Sequence, residues 1–332
     1  MDLRNRREMK DFALQRLKDS PSQQKIVMIY AALVLGLAAL VTVGDYVLGL
    51  QIGNYGGLSN LGKKTMLSSL QSMLPFAQSL LSLCLEVGYL AAMLRIARGM
   101  YTSPQTLRLG FDRFWLLMRC TVFKGLIMAG VMFSCLYFGV MIYMMTPFSD
   151  AAVEIVAPLV SQTSVLDAGI VIDDATYSAL MSAMIPAFVI CGVLMLLLGG
   201  PILYNYRMVN YIIVDKPAIG ALMALRESKT MMRGHRFQLL KLDLSLWWYH
   251  LAIGGITVLC YLDVLLPMMG MELPVSETVA YFGFYGLYMA ASFCVHYFLR
   301  NRTEVAYALA YDAVKPQEKP SDGVVLGNIF QM

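Results

Sequence analysis

Glu86, Lys124, Arg207 and His250 are charged or titratable side chains that fall inside long apolar blocks of this sequence. Hydrocarbon makes such groups costly, so each is a functional candidate by default, as a proton or ion site or as half of an ion pair. Glu86 lies nine residues before Arg95, Lys124 nine after Trp115, His250 nine after Lys241 and Arg207 eight before Asp215. At 1.5 Å of helix rise per residue, all four come out about 12–14 Å from one surface. They form a candidate intramembrane polar layer, in which a Glu86–Lys124 pair would let each charge offset the burial of the other. The competing reading is structural: Lys124 and Arg207 snorkel to the interface, and Glu86 is protonated or bonded to a neighbouring helix.

A second group, Arg226, Lys229, Arg233 and Arg236, belongs to a short basic segment that starts near Asp215-Lys216-Pro217. Helical spacing puts Ala218, Ala221, Leu222, Leu225 and Met232 on one face and the cations mostly off it, with Gly234 placed to end the helix. Two similar segments occur. Arg4 to Lys18 carries Met9, Phe12, Ala13 and Leu17 on one face, and another segment begins at Thr102-Ser103-Pro104. Basic amphipathic helices lie in the headgroup layer with the apolar face down, and anionic lipid attracts them by ~1 kcal/mol for each nearby cation. The four residues are therefore a candidate anionic-lipid surface. The alternative is that all three segments are plain connectors.

Other motifs carry less. Gly53-Asn54-Tyr55-Gly56-Gly57 has no Gly-Lys-Ser/Thr ending and no preceding strand, so it is no phosphate loop. Three histidines share no ligand spacing, which argues against a metal site, and no cofactor is expected. No serine or cysteine nucleophile stands near a base, so no catalytic residue is assigned. The six cysteines all lie in apolar blocks and read as small buried packing residues. Asp173 and Asp174 read as caps of the helix that follows them, and the 25 methionines as adaptable packing.

The elements that must position these residues are membrane spans. Of 332 residues, 58% are hydrophobic and only 14% charged, against roughly a quarter charged in ordinary soluble proteins. The apolar blocks predict six spans: Ile26 to Leu50, Leu70 to Leu94, Trp115 to Met145, Ser178 to Val214, Leu244 to Leu266 and Val279 to Leu299. The third and fourth are too long for simple crossings, and Gly199-Gly200-Pro201 predicts a break in the fourth. Of the 26 lysines and arginines, 24 fall on one side of this arrangement, and only Lys63 and Lys64 fall on the other. The loops of that other side are acidic, with Asp150, Glu154, Asp167, Asp173 and Asp174 in one and Asp263, Glu272 and Glu277 in another. Basic residues stay inside, so both termini are expected in the cytosol. The charged N-terminus does not read as a signal peptide, and the first apolar run reads as a retained anchor. The expected fold is an all-α integral-membrane bundle of about six helices. Residues 1–25 form a cytosolic amphipathic basic helix, 26–314 the six-span domain and 315–332 a flexible cytosolic tail. Each pair of spans follows a basic segment, and the even spans end alike at Gly88-Tyr89-Leu90, Pro201-Ile202-Leu203 and Gly286-Leu287-Tyr288, which suggests three helical-hairpin repeats.

From the fourth span into the fifth, Tyr206, Asp215, Pro217, Ser228, Met232, Gly234 and Trp248 form a recognisable series, joined by an Arg98-Gly99 turn and the basic N-terminal helix. The chain resembles the bacterial integral-membrane family known as domain of unknown function 975. It departs from that pattern at Gly200-Pro201, where the family usually has Pro-Gly, and at Gly286-Leu287-Tyr288, where Pro-Tyr is usual. A looser likeness is to the membrane portion of some glycerophosphodiester phosphodiesterases. The family resemblance implies a multi-span bacterial membrane protein and brings no assigned activity. The expectation is a non-enzymatic protein of the bacterial plasma membrane that handles lipid or amphiphilic cargo, or assists a membrane complex. Membrane lipids are the expected partners, a membrane-protein partner is allowed and nucleic acid is not expected. The alternative is a small-solute transporter or channel built on the polar layer, with a lipid-modifying enzyme third.

Overall fold

The computed structural model describes residues 5–54, 60–162, 174–262, 265–266 and 276–316, and no strand occurs among them. Arg4, Tyr55 to Gly57, Asp167, Asp173, Asp263, Glu272 and the tail from residue 317 lie outside the described residues. The helices are α1 (Arg6–Lys18), α2 (Gln23–Asn54), α3 (Leu61–Ala97), α4 (Leu109–Asp112), α5 (Phe114–Met144), α6 (Phe148–Gln162) and α7 (Asp174–Leu194). They continue with α8 (Gly200–Asn205), α9 (Val209–Asp215), α10 (Ala221–Met231), α11 (Arg236–Ser245), α12 (Trp247–Cys260), α13 (Glu277–Val295) and α14 (Asn301–Val314). A 3-10 turn, Pro104–Arg108, leads into α4, and π turns at Met195–Gly199 and His296–Arg300 join α7 to α8 and α13 to α14.

Five of these runs are long and apolar enough to cross a membrane: α2, α3, α5, Ser178–Asp215 and Thr278–Val314. They correspond to the first four expected spans and the sixth. The fifth differs from the smooth span expected over Leu244 to Leu266. Helices α11 and α12 bend by 67° at their junction and make a sixth span only as a pair. Cations of α1 reach the C-terminal end of α11, where the Ser245 carbonyl is one that the helix leaves open. Lys10 donates to that Ser245 carbonyl at 3.4 Å, and Arg6 adds a 3.3 Å bond to the Lys241 carbonyl one turn earlier. The break expected at Gly199-Gly200-Pro201 is present as the π turn followed by Pro201 in the first turn of α8, where proline costs no hydrogen bond. The chain is an all-α multi-span membrane bundle.

The chain divides into two compact units, residues 1–119 with 208–332, and residues 120–207. In the first, the C-terminal half of α3 is the core. From Val87 to Leu94 every side chain is buried, and α1, α2, the 104–112 segment, α9 and α14 pack around it. Two glycines let backbones touch there. A Cβ on Gly88 would overlap the Leu107 carbonyl, and one on Gly110 would overlap the carbonyl of Cys84. Small residues at membrane-helix contacts permit such close approach. At the end of α3, Gly99 turns left-handed (φ +71°) while its N–H and that of Met100 bond to the Ile96 and Arg95 carbonyls. This Schellman turn stops the helix at Arg98 and fixes where that side chain projects.

In the second unit, Tyr143, Ala152 and Ala187 form a small cluster, with the Tyr143 hydroxyl 2.9 Å from the Ala183 carbonyl. Of the cysteines, Cys84, Cys120 and Cys135 are buried as expected, whereas Cys294 is exposed on α13. The apolar faces read from the amphipathic segments are used within the protein. Met9, Ala13 and Leu17 of α1 and Ala221, Leu225 and Met232 of the α10 segment are buried, whereas Ala218 and Leu222, read as part of the second face, are exposed.

Candidate functional site

The run from α13 into α14 is amphipathic in the sense opposite to a soluble helix. Tyr281, Tyr285, Tyr288, Ser292, His296, Arg300 and Glu304 recur every three or four residues, which keeps them on one helix face, and all are half-buried or buried. Between them Phe282, Leu287, Phe293 and Phe298 are exposed. Lipid tolerates apolar groups outside and forces polar ones to find partners inside, so this pattern marks an internal polar seam.

Arg300 is its centre. The guanidinium lies over the rings of Tyr30 (5.0 Å) and Tyr89 (5.5 Å), which themselves stack at 4.3 Å. Cation–π attraction of this kind strengthens where water is excluded. Glu304 stands 3.8 Å from it and Glu86 3.7 Å. The Arg300 side chain also reaches Nε2 of His296 at 3.0 Å. Arginine has only donors, so Nε2 accepts, and the proton rides on Nδ1, which faces the Ser292 carbonyl at 2.7 Å. His296 thus orients Arg300.

The seam leads to an ionic knot at the ends of α3 and of the Ser178–Asp215 and Thr278–Val314 runs. These are of nearly equal length, 37, 38 and 37 residues. Glu304 accepts from the Tyr211 hydroxyl at 3.1 Å, and Tyr211 stacks on Tyr311 at 5.5 Å. Tyr311 donates to Asp215 at 3.1 Å. Arg98, just past α3, bridges Asp215 (2.7 Å) and Asp312 (2.6 Å), and Lys315 adds a 2.7 Å bond to Asp215. The Asp312 hydrogen bonds first, with those of Asp215, hold the Arg98 guanidinium above its ordinary range, so it stays charged. Beside the knot, Tyr307 donates to Asp243 at 2.5 Å, which ties α14 to α11.

The residues expected to form one polar layer divide between the units. Glu86 and His250 belong to the first, Lys124 and Arg207 to the second. Glu86 meets Arg300, a cation that charge spacing from the helix ends did not pair with it. His250 is exposed on α12 with its ring edge against Tyr249. Arg207 lies 5.9 Å over the Tyr204 ring. Of the basic segment, Arg226, Lys229 and Arg233 are exposed, whereas Arg236 is half-buried with its Nε enclosed. Leu222, read as part of the buried face, is instead 54% exposed beside Met223 at 57%. The seam itself was readable from the three- and four-residue spacing of polar residues in the last span. The knot was not, because its members come from three distant stretches.

No curated protein and no solved structure matches the chain. Residues 1–298 match the family described as "Protein of unknown function (DUF975)", and the chain belongs to that family.

Proposed function

We propose that the protein is a non-enzymatic multi-pass protein of the bacterial plasma membrane, with both ends in the cytosol, that engages anionic lipid or amphiphilic cargo at its basic face. One observation carries this reading. The outward side of α10 and the following turn mixes Leu222 and Met223 with Arg226, Lys229 and Arg233, and Phe237 beyond it is 77% exposed. Apolar side chains interleaved with cations suit the level where acyl chains give way to headgroups. The reading is tested with an environment-sensitive dansyl probe on Leu222→Cys of the full chain, in a Cys-free background, reconstituted in vesicles. Emission should shift to the blue as phosphatidylglycerol replaces phosphatidylcholine and return as salt screens the cations. A probe that reports water at every composition ends the proposal.

A second reading, passage of a small solute, draws support from the seam. Polar residues run along one face of α13 and α14, and π turns interrupt both of the later long runs, a feature frequent at functional positions. Solute uptake by proteoliposomes that fails with Arg300→Met while lipid contact persists would favour it.

A further inference from the structure

We infer that the elbow between α1 and α2 holds the head of one anionic phospholipid. This rests on the lipid reading above but uses different residues. A cavity of about 270 Å³ opens there, between the end of α1, the start of α2 and the junction of α13 with α14. Two cations line it, Lys18 and Arg302, and no acidic residue does. Neither side chain hydrogen-bonds or forms an ion pair with any described residue; the bond that Arg302 does make runs from its backbone N–H to Asn301. In the knot and the seam, by contrast, Arg98 and Arg300 each face carboxylates, whereas no carboxylate lines this cavity. Two side-chain amides complete the polar rim. Asn301 donates to the Gln23 oxygen at a long 3.4 Å, which leaves the remaining amide protons of both residues for another acceptor.

The shape of the polarity names the occupant. On α2 the lining changes from Gln23 to Val27, and on the other wall from Arg302 to Phe298. In both cases polar gives way to apolar over four residues, about 6 Å of helix, in the direction in which α2 enters its membrane-spanning stretch. A phospholipid has this order built in: phosphate, then ester carbonyls, then acyl chain. The phosphate fits against Lys18 and Arg302, the esters against Gln23 and Asn301, and the chain along Val27 and Phe298. Inorganic phosphate or a soluble phosphate ester would leave the apolar end of the cavity without a partner. A zwitterionic head would bring a further cation to a site that already has two.

The test is native mass spectrometry of the full chain purified gently from membranes that contain phosphatidylglycerol and phosphatidylcholine. The wild type should carry one phosphatidylglycerol per chain, and millimolar inorganic phosphate should not displace it. Lys18→Gln with Arg302→Gln should lower its occupancy at least tenfold, and Lys18→Glu with Arg302→Glu should abolish it. Both residues are exposed, so melting curves of these variants should overlay the wild type; a variant that melts early is replaced by the single changes, each of which should show a partial loss. Arg226→Gln, Lys229→Gln and Arg233→Gln together should leave the adduct in place. Unchanged occupancy in the Lys18/Arg302 variants, or displacement by phosphate, overturns the site while the broader lipid reading stands. A wild type that retains no anionic lipid overturns both.

Discussion

Removal of the Asp215 carboxylate should loosen the whole of the first unit. Asp215 is the hub where α9 meets α3 and α14. Its side chain is 9% exposed, and it accepts from Arg98 and Lys315 at 2.7 Å each and from Tyr311 at 3.1 Å. Hydrogen bonds to a charged group contribute roughly 1.5–3 kcal/mol apiece. Three intact bonds cannot simply be added, because Arg98 (27% exposed) and Lys315 (30%) regain water when the carboxylate leaves. Asp215→Ala should therefore cost about 3 kcal/mol, at the low end of the range for breaking a buried ion pair. Arg98→Met should cost about 2 kcal/mol, since Asp215 keeps Lys315. The double variant should fall short of the sum by about 1.5 kcal/mol or more, the signature of direct coupling. Arg98→Lys keeps the charge but loses the fork that spans two carboxylates, so it should recover little. The assay is reversible unfolding by dodecyl sulfate in mixed micelles, followed by fluorescence of the three tryptophans. Additive costs within about 0.5 kcal/mol would refute the knot.

Other perturbations bear on separate parts of the structure. Gly88→Ala and Gly110→Ala each drive a methyl into a backbone carbonyl and should destabilise by about 1–3 kcal/mol in the same assay, whereas Gly125→Ala, with open space around it, should be near neutral. In the seam, Glu86→Gln should cost under about 1 kcal/mol, because Glu86 is 44% exposed and 3.7 Å from its partner. Arg300→Met should cost about 3 kcal/mol or more, since it removes the cation 3.8 Å from the 13%-exposed Glu304 and empties the space over two tyrosine rings; equal effects from the two changes would remove Arg300 from its central place. For the proposed orientation, single cysteines at Ser161 and Glu272 should react with an impermeant maleimide in whole cells, and cysteines at Gln15 and Lys229 only after the membrane is opened.

The spans were legible because apolar blocks of twenty residues match the thickness of a bilayer and exceed what a soluble core asks of one helix. The broken fourth run was legible because Gly-Gly-Pro cannot sit quietly in a helix. The bend between α11 and α12 was not, since the apolar stretch reads straight through Leu246 and the cations that cap it come from α1, over two hundred residues away. The same cause hid the partner of Glu86. Depth can be counted from helix ends, but azimuth cannot, and Arg300 lay beyond the expected end of the last span. The basic segments showed helical periodicity, with Ala218 and Leu222 assigned to a buried face they do not share, and periodicity does not say whether an apolar face meets lipid or protein. In α1 and α10 protein takes it, and the cations with Leu222 and Met223 are left outward. The seam was not read, although its signal, the three- and four-residue recurrence of polar residues from Tyr281 to Glu304, lies in the sequence; the expected span ended at Leu299, before Arg300 and Glu304.

The central claim, that the basic face engages anionic lipid, is tested most directly by the composition of the lipid that stays around the protein when it is excised from its membrane in polymer-bounded native discs. The account predicts that wild-type discs are enriched in phosphatidylglycerol and cardiolipin over the bulk membrane, and that discs of the Arg226→Gln, Lys229→Gln, Arg233→Gln variant fall toward the bulk composition. Wild-type discs with the bulk composition, unchanged by the three substitutions, would contradict it.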